Sequence, residues 1–267
     1  MARPLREIPV AALRAIRGPF LDIDDTLTTD GKLTAEAYDA LERAHRVGLL
    51  GVSVTGRPAG WCDHIARMWP VDAVVGENGA FYFRHDDRAQ KLIKRFVDNN
   101  ATRRANRARL AMIRDEILAA VPGYAVASDQ RYREADLAID FCEDVPSLPT
   151  AAIDQIVALM TTHGMTAKVS SIHVNGWFGS YNKLGMTRTL CAEQFGIDLD
   201  RSRHEWLFIG DSPNDAPMFG FFPHSVGVAN VMDFLGRIDS PPRYVSHGRS
   251  GDGFAELVGR LLAARDV

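Results

Sequence analysis

The segment Phe20–Gly31, FLDIDDTLTTDG, decides the fold. It begins with the apolar residues of a buried strand, but Asp22, Asp24 and Asp25 follow at once. Burying a carboxylate costs several kcal/mol unless a cation or hydrogen bonds compensate it, and neighbouring carboxylates also repel one another. The segment therefore predicts a buried strand that ends beside a positively charged group.

The chain around this segment alternates between apolar, β-branched runs and amphipathic helical patterns. The order strand, helix, strand, helix, strand predicts a parallel sheet with helices on both faces, and the pattern resumes after Lys183. The predicted fold class is therefore α/β, with a Rossmann-like parallel sheet as its core. The predicted strands of this core are 20–23, 49–54, 72–75, 206–209 and 225–228, and the predicted helices are 34–47, 59–68, 183–195, 216–219 and 254–264, the last capped by Asp252.

The middle of the chain has a different pattern, with two strands, a helix and two more strands behind a long charged helix. That order suits an α+β unit with an antiparallel sheet. We therefore predict a core domain of residues 1–82 and 181–267 and an inserted α+β domain of residues 83–180. The predicted elements of the insertion are one or two helices over 87–120, strands at 124–127, 137–141, 166–170 and 172–178, and a helix at 150–163.

The composition argues against nucleic acid and membrane as partners. The 267 residues carry a formal net charge of −3, so no global basic field attracts nucleic acid or an anionic membrane. The apolar runs are shorter than a membrane span needs. Arginines are frequent between 103 and 114, but acidic residues dilute them and no aromatic residues interleave, which indicates a solvated helix face.

The predicted location is the cytoplasm. The N-terminal 20 residues have arginines among their apolar residues and lack the uninterrupted apolar core of a secretory signal. Cys62, Cys142 and Cys191 are too few and too scattered for a disulfide framework or a zinc knuckle, so reduced thiols are expected. The oligomeric state is not predictable from these features.

Polar residues follow each predicted strand of the parallel sheet. Ligands of open parallel sheets bind beyond the carboxyl ends of the strands, so these residues are expected to meet. Any one of the groups is a weak signal, but together, and in this order, they predict a functional site. The groups are Asp22 and Asp24, SVTGR (Ser53–Arg57), GENGA (Gly76–Ala80) and GDSPND (Gly210–Asp215), and Lys183 begins a helix just after the insertion.

These residue types suit phosphoryl transfer. Asp22, Asp24 and Asp211 concentrate negative charge that a hard cation such as Mg²⁺ would neutralise. A carboxylate can attack phosphorus to form an aspartyl-phosphate, and Lys183 and the Thr55 hydroxyl could then neutralise charge on the phosphate oxygens. Asp24 is placed to protonate the leaving oxygen and later to activate water.

The motifs DIDDTLT, TGR and GDSPND, with Lys183, resemble the four motifs of the haloacid dehalogenase superfamily of phosphatases. The insertion resembles the α+β cap of its sugar-phosphatase branch, which includes Cof-type hydrolases and the sucrose-phosphate and mannosyl-3-phosphoglycerate phosphatases. The resemblance implies a Mg²⁺-dependent phosphatase whose substrate is a small phosphate ester, a sugar or sugar-acid phosphate.

The resemblance also implies a role for each matching residue. In this interpretation the inserted α+β domain covers the site and reads the leaving group. Lys183 is followed by Leu184 rather than the usual glycine, and Lys168 is its nearest competitor. The implied roles are Asp22 as nucleophile and metal ligand, Asp24 as acid, base and metal ligand through its carbonyl, Asp211 as metal ligand, Thr55, Gly56, Lys183 and Asn214 as phosphate ligands, and Asp215 as support for the metal and phosphate.

Several residues have two interpretations. Arg57 would form either a surface salt bridge or a substrate contact, and Asn78 would either shape a turn or lie near the substrate. In SSIHVNGW, His173 and Asn175 share one face of a predicted strand, where they could read the leaving group or be ordinary hydrogen-bonded residues.

Two other functions are compatible with parts of the pattern. A phosphomannomutase-like phosphotransferase has a similar first motif but needs cap arginines for a second phosphate, and Arg131 and Arg133 are the candidates. A phospho-accepting signalling module also collects acids, Thr and Lys at strand ends. Its acceptor aspartate would follow the third strand, where this chain has Glu77 and Asn78.

Overall fold

The structure, a computed structural model, describes residues 2–266. No helix in that range is long and apolar enough to cross a membrane. The strands are β1 (Arg3–Pro4), β2 (Gly18–Leu21), β3 (Thr28–Thr29), β4 (Lys32–Leu33), β5 (Val52–Val54), β6 (Ala73–Gly76), β7 (Phe81–Asp86), β8 (Lys91–Phe96), β9 (Ala125–Val126), β10 (Asp136–Asp140), β11 (Thr166–Val169), β12 (His173–Trp177), β13 (Trp206–Gly210), β14 (Val226–Gly227) and β15 (Tyr244–Val245). The helices are α1 (Val10–Ala15), α2 (Ala35–Arg46), α3 (Ala59–Met68), α4 (Asn100–Ala120), α5 (Thr150–Thr162), α6 (Lys183–Phe195), α7 (Leu199–Ser202), α8 (Ala216–Phe221) and α9 (Ser250–Ala263).

The larger sheet has the strand order β1-β15-β14-β13-β2-β5-β6-β7-β8. Its neighbours from β1 to β6 are parallel, and β7 and β8 extend it antiparallel. The chain runs outward from β2 to β5 and β6 and later returns to β13 on the other side of β2. Ligands of such sheets bind where the strand succession reverses, beyond the carboxyl ends. The predicted α/β fold is confirmed, and β2 lies at this reversal point.

Both faces of the larger sheet are buried, because successive side chains of a strand point to opposite faces. In β2, Phe20 packs with Val52 and Phe208 on one face. Leu21 packs with Leu207 and the C-terminal helix α9 on the other face. Burial on both sides explains why the strand is continuously apolar up to Asp22.

The smaller sheet is antiparallel, with the order β11-β12-β10-β9. Helices α4 and α5 cover one of its faces, where Leu110 and Ile156 pack against Ile139 and Val174. The other face lies toward the carboxyl ends of the larger sheet. We call residues 100–177, which form this sheet and its two helices, the cap.

One predicted element and one predicted helix cap are wrong. Residues 87–96 were expected to be helical, but β7 and β8 form a hairpin, because KLIKRF favours a strand and Gln90 (φ 50°) makes the turn. Helix α4 begins only after Asn99, whose side chain accepts hydrogen bonds from the first backbone N–H groups. Helix α9 begins at Ser250, so Asp252 lies in its first turn and does not cap it. The domain limits 1–82, 83–180 and 181–267 stay a prediction.

Candidate active site

The acids that follow β2 and β13 lie side by side. The N–H of Asp22 donates to the carbonyl of Ile209 at 2.9 Å, which continues the parallel pairing of the two strands by one residue. Asp211 follows the end of β13 directly. The exposed fractions of Asp22 and Asp211 are 4% and 0%. The register of two neighbouring parallel strands thus brings two buried carboxylates together.

Lys183, the first residue of α6, is the positively charged group that compensates these acids. Its Nζ donates hydrogen bonds of 2.7 Å to Asp22 Oδ1 and to Asp215 Oδ1, and the residue is 1% exposed. Burial alone would lower the pKa of Lys183, but the two carboxylates outweigh it and raise the pKa above its usual range. Lys168, the competing candidate, lies in β11 of the cap.

Asp215 holds Lys183 from a turn that fixes both carboxylate oxygens. While Oδ1 binds Lys183, Oδ2 accepts hydrogen bonds from the N–H groups of Asp211 at 3.0 Å and Ser212 at 3.3 Å. A Cβ atom on Gly210 would lie 2.3 Å from Asp215 Oδ2, so only glycine fits there. Asp215 therefore orients the ammonium group and shapes the turn.

The same region can hold a cation. Asp22, Asp211 and Asp215 each offer a carboxylate oxygen, and these oxygens lie within 4.8 Å of one another. Burial raises the pKa of Asp22 to about 8 and raises the pKa of Asp211 well above its usual range. The hydrogen bonds that Asp211 accepts from Thr26 and Asn230 are long, 3.4 Å each. The buried oxygens of Asp211 are thus weakly compensated, and they fit a hard divalent cation, which prefers oxygen ligands.

Asp24, the predicted acid, is paired with Arg57. Arg57 Nε donates to the two Asp24 oxygens at 2.9 and 3.0 Å, and Nη2 lies 2.7 Å from Oδ1. Arg57 is 3% exposed, so its ion pair is buried and does not lie on the surface. The Trp61 ring stacks on the guanidinium, with 4.3 Å between Cζ and the ring centre.

The cap reaches the same guanidinium through Glu143. Arg57 Nη2 donates to Glu143 Oε1 at 2.6 Å, and His173 Nε2 lies 3.0 Å from Glu143 Oε2. Burial raises the pKa of Glu143, but hydrogen bonds from His173 and Arg57 outweigh it and lower the pKa to about 2. Glu143 is therefore ionised, and Arg57 lies between a core carboxylate and a cap carboxylate.

The turns after β5 and β6 are bonded to each other. Asn78 N–H donates to the carbonyl of Thr55 at 3.1 Å, and Arg57 N–H donates to the Thr55 hydroxyl at 3.0 Å. Glu77 and Asn78 have φ of 43° and 54°, a left-handed conformation that costs roughly 1–3 kcal/mol per residue and is typical of functional turns. A Cβ atom on Gly56 would lie 3.2 Å from Asn78 Nδ2, so the Asn78 amide lies close against this turn.

Asn214 holds the Asn78 side chain in place. Its Nδ2 donates to Asn78 Oδ1 at 3.1 Å, and its Oδ1 accepts a hydrogen bond from the Ser212 hydroxyl at 2.9 Å. Within residues 2–266, the buried Nδ2 of Asn78 has no hydrogen-bond partner. A ligand that accepts a hydrogen bond could pair with it, whereas direct contact between Asn214 and phosphate stays a prediction.

The cap strand β12 presents His173 and Asn175 toward the core, and both are buried. His173 contacts Glu143, as described above. Asn175 Nδ2 donates to Asp136 at 3.0 Å, and Asp136 in turn binds Arg133 at 3.1 Å. Arg133 donates to the carbonyl of Gly56 at 2.9 Å, so this network ends at the turn after β5.

Glu77 is a second connection between the core and the cap. Its carboxylate accepts hydrogen bonds from the N–H groups of Ala59 at 3.0 Å, Glu134 at 2.9 Å and Ala135 at 2.6 Å. The residue is completely buried, and burial raises its pKa to about 8. One core side chain thus binds the backbone of the cap just before β10.

Sequence reasoning missed Glu143, Glu77 and the buried ion pair of Arg133 and Asp136. Glu143 lies between β10 and α5, in a segment without a periodic pattern, and nothing local connects it with Arg57, 86 residues earlier. A signal for Glu77 was available, because it is an acidic residue directly after a fully apolar strand, as Asp22 is. A buried carboxylate in such a position is expected to have hydrogen-bond partners.

The sequence is similar to known hydrolases. Residues 20–108 match the family of haloacid dehalogenase-like hydrolases. The predicted resemblance to this superfamily is confirmed. A phosphoglycolate phosphatase of Methanothrix thermoacetophila is 27% identical over 253 residues, which cover 93% of this chain and 98% of that protein. These similarities support a phosphatase of the haloacid dehalogenase superfamily.

Solved structures of the same fold cover nearly the whole chain. A protein of Thermoplasma acidophilum has a TM-score of 0.67 at 20% identity, and the match covers 92% of this chain and 98% of that one. The sucrose-phosphatase of Synechocystis, solved with sucrose and phosphate, has a TM-score of 0.61 at 16% identity, with the same coverage of 92% and 98%. At these identities the likeness shows the fold, with its core and cap.

Proposed function

We propose that this chain is a Mg²⁺-dependent phosphatase that hydrolyses a small phosphorylated metabolite, a sugar or sugar-acid phosphate. The observation that carries the proposal is the 2.7 Å contact between Lys183 Nζ and Asp22, beside the buried Asp211. A carboxylate held in this way can attack phosphorus, and the surrounding positive charge can neutralise the phosphate oxygens. Similarity to proteins named as phosphatases supports the same reaction.

Asp22, Asp211 and the main-chain carbonyl of Asp24 would hold the Mg²⁺. Asp215 is the poorer ligand, because Lys183 and two backbone N–H groups already engage its oxygens. Mg²⁺ takes few protein ligands and keeps several waters. When bound, it would neutralise negative charge on the phosphate oxygens.

The reaction would proceed in two displacements. A carboxylate oxygen of Asp22 attacks phosphorus, the ester P–O bond breaks, and Asp24 donates a proton to the leaving oxygen. Asp24 then accepts a proton from water, whose oxygen attacks phosphorus and releases inorganic phosphate and the free Asp22 carboxylate. Since Arg57 binds both oxygens of Asp24, one of them must be released to the leaving group during the transfer.

The phosphate would be held where the strand ends meet. The Thr55 hydroxyl, the Lys183 ammonium group and the buried amide of Asn78 lie at this edge of the sheet. Gly56 lets the Asn78 amide lie close against the backbone. We assign phosphate binding to these residues and to Asn214, with Arg57 adjoining the leaving group.

The proposal includes a cytoplasmic location and a small molecule as the partner. Cys62, Cys142 and Cys191 are free thiols, which supports the predicted reducing compartment. A nucleic-acid partner is not part of the proposal, because the net charge is −3.

The phosphotransferase alternative gains no support from the arginines predicted to bind a second phosphate. Arg133 is buried and bonded to Asp129, Asp136 and the carbonyl of Gly56. Arg131 contacts the hydroxyl of its neighbour Tyr132 on the surface. Both candidates therefore already have protein partners.

The proposal is tested by Asp22→Asn, with phosphate release measured from p-nitrophenyl phosphate and from a panel of sugar phosphates, with Mg²⁺ and with excess chelator. The expected result is loss of turnover, because an amide cannot attack phosphorus. Asp39→Asn, at an exposed position of α2, is the matched control and should behave like wild type. Wild-type turnover by Asp22→Asn, or full activity in chelator, would contradict the proposal.

A further inference from the structure

A cavity of about 330 Å³ lies between the loop after β2 and the cap, and Asp24 forms part of its wall. This volume is in the range of small-molecule sites. Asp24 must contact the leaving oxygen if it is to protonate it, so a leaving group bound beside Asp24 would extend into this cavity. Its charged lining residues are the carboxylates Asp24, Asp25, Asp30 and Glu143 and the cation Arg57.

Before the reaction begins, each nitrogen of the Arg57 guanidinium already faces a carboxylate among residues 2–266. Its Nε binds Asp24, Nη2 binds both Asp24 and Glu143 Oε1, and Nη1 faces Glu143 Oε2 at 3.4 Å and Asp129 at 3.5 Å. A guanidinium carries five N–H groups and cannot be deprotonated in proteins. A carboxylate on the leaving group would therefore enter a cavity whose one lining cation is already paired.

The cavity wall suits hydroxyl groups better. Ionised carboxylates only accept hydrogen bonds, and hydroxyl groups can donate to them. The hydroxyl group of Ser171 lies at the same wall, beside Asp25, and could also pair with a substrate hydroxyl. A negatively charged leaving group would be repelled by the carboxylates of the cavity wall, which disfavours binding, whereas a neutral polyol would not be repelled.

We propose that the cavity binds a neutral, hydroxylated leaving group, and that Glu143 excludes leaving groups that carry a carboxylate. This inference rests on the proposed phosphatase function and narrows its substrates to phosphate esters of sugars or polyols rather than sugar-acid phosphates. Glu143 is the determining residue because it contributes both a negative charge and the contact that occupies Arg57 from the cap side. Lys168 lies outside the cavity lining, opposite Asn175 in the cap sheet.

The test compares pairs of esters that differ in the carboxylate. One pair is glucitol 6-phosphate and 6-phosphogluconate, and the other is 2-hydroxyethyl phosphate and 2-phosphoglycolate. For each pair, the selectivity is the ratio of kcat/KM for the neutral ester to kcat/KM for the acidic ester. We expect a ratio of about tenfold or more in the wild type, because like charges at close range cost at least that much.

Glu143→Gln keeps the shape of the side chain and removes its charge, so the ratio should fall by about tenfold in both pairs. Any effect on Asp24 through Arg57 applies to both esters and cancels in the ratio. Asp30→Asn, at an exposed turn position (φ 50°) that asparagine tolerates, should shift the ratio the same way by a smaller factor. Glu116→Gln, at an exposed position of α4, should leave the ratio unchanged.

Three results would overturn the inference. A wild-type preference for the acidic esters would overturn it. If Lys168→Gln then abolished that preference, the leaving group would lie against Lys168. An unchanged ratio in a Glu143→Gln protein with the wild-type melting temperature would also overturn the inference. If the wild type hydrolyses no ester, not even p-nitrophenyl phosphate, the proposed phosphatase function fails together with the inference. If it hydrolyses esters without the expected selectivity, the inference alone fails.

Discussion

Replacing Lys183 by methionine should destabilise the protein strongly, because the change leaves Asp22 and Asp215 buried without their common cation. When the carboxylates are ionised, each contact of 2.7 Å corresponds to an attraction of about 6 kcal/mol at an effective dielectric constant of about 20, and ion desolvation offsets several kcal/mol of it. The stranded acid can instead bind a proton, which costs about 4 kcal/mol at pH 7 for an aspartate of ordinary pKa. We therefore expect the free energy of unfolding to fall by about 3–5 kcal/mol.

The loss should depend on pH. An acid whose pKa is raised in the folded state binds more protons when folded than when unfolded, so the folded state gains stability as the pH falls. In Lys183→Met the stranded carboxylates should become neutral at low pH, and the destabilisation should be smaller at pH 5 than at pH 8. Urea unfolding followed by the fluorescence of the buried Trp177 and Trp206 measures the loss at both pH values.

Lys94→Met is the matched control, because Lys94 forms an exposed ion pair of 2.8 Å with Asp63. Exposed pairs contribute about 0–1 kcal/mol, so the control should lose little stability at either pH. Adding Asp215→Asn to Lys183→Met should restore part of the stability but not the activity. A loss for Lys183→Met as small as that of the control, or equal at pH 5 and pH 8, would refute the reasoning.

Two further predictions concern the acid and the cation. Asp24→Asn should still form the phospho-enzyme from p-nitrophenyl phosphate but hydrolyse it slowly, so a burst of nitrophenol should precede slow turnover. Equal losses of activity with esters of good and of poor leaving groups would contradict an acid role for Asp24. Since burial raises the pKa of Asp22 to about 8, Mg²⁺ must displace a proton below that pH. The apparent Mg²⁺ affinity in calorimetry should therefore rise as the pH increases from 6 towards 8, by about tenfold per pH unit for each proton displaced, and a constant affinity between pH 6 and 8 would contradict this.

The sequence predicted the fold and the main acids because their signals are local. Asp22 and Lys183 are 161 residues apart, yet each directly follows or begins an element with a clear pattern, and parallel strands bring such ends to one edge. Glu143 has no such signal, because its contact with Arg57 depends on how the cap packs over the core. The hairpin of β7 and β8 was missed because charged residues in KLIKRF suit an exposed edge strand as well as a helix face.

The hydrogen bonds of the Glu77 carboxylate to the cap backbone, here called the Glu77 joint, determine which substitutions the contact between core and cap tolerates. On the cap side the joint uses only the N–H groups of Glu134 and Ala135, which every residue except proline provides. Substitutions at these two positions therefore keep the joint, whereas replacement of Glu77 breaks its hydrogen bonds to the cap and to Ala59 together. Caps with different side chains can in this way be fitted to an unchanged core, so the choice of substrate can diverge without altering the residues proposed for the chemistry.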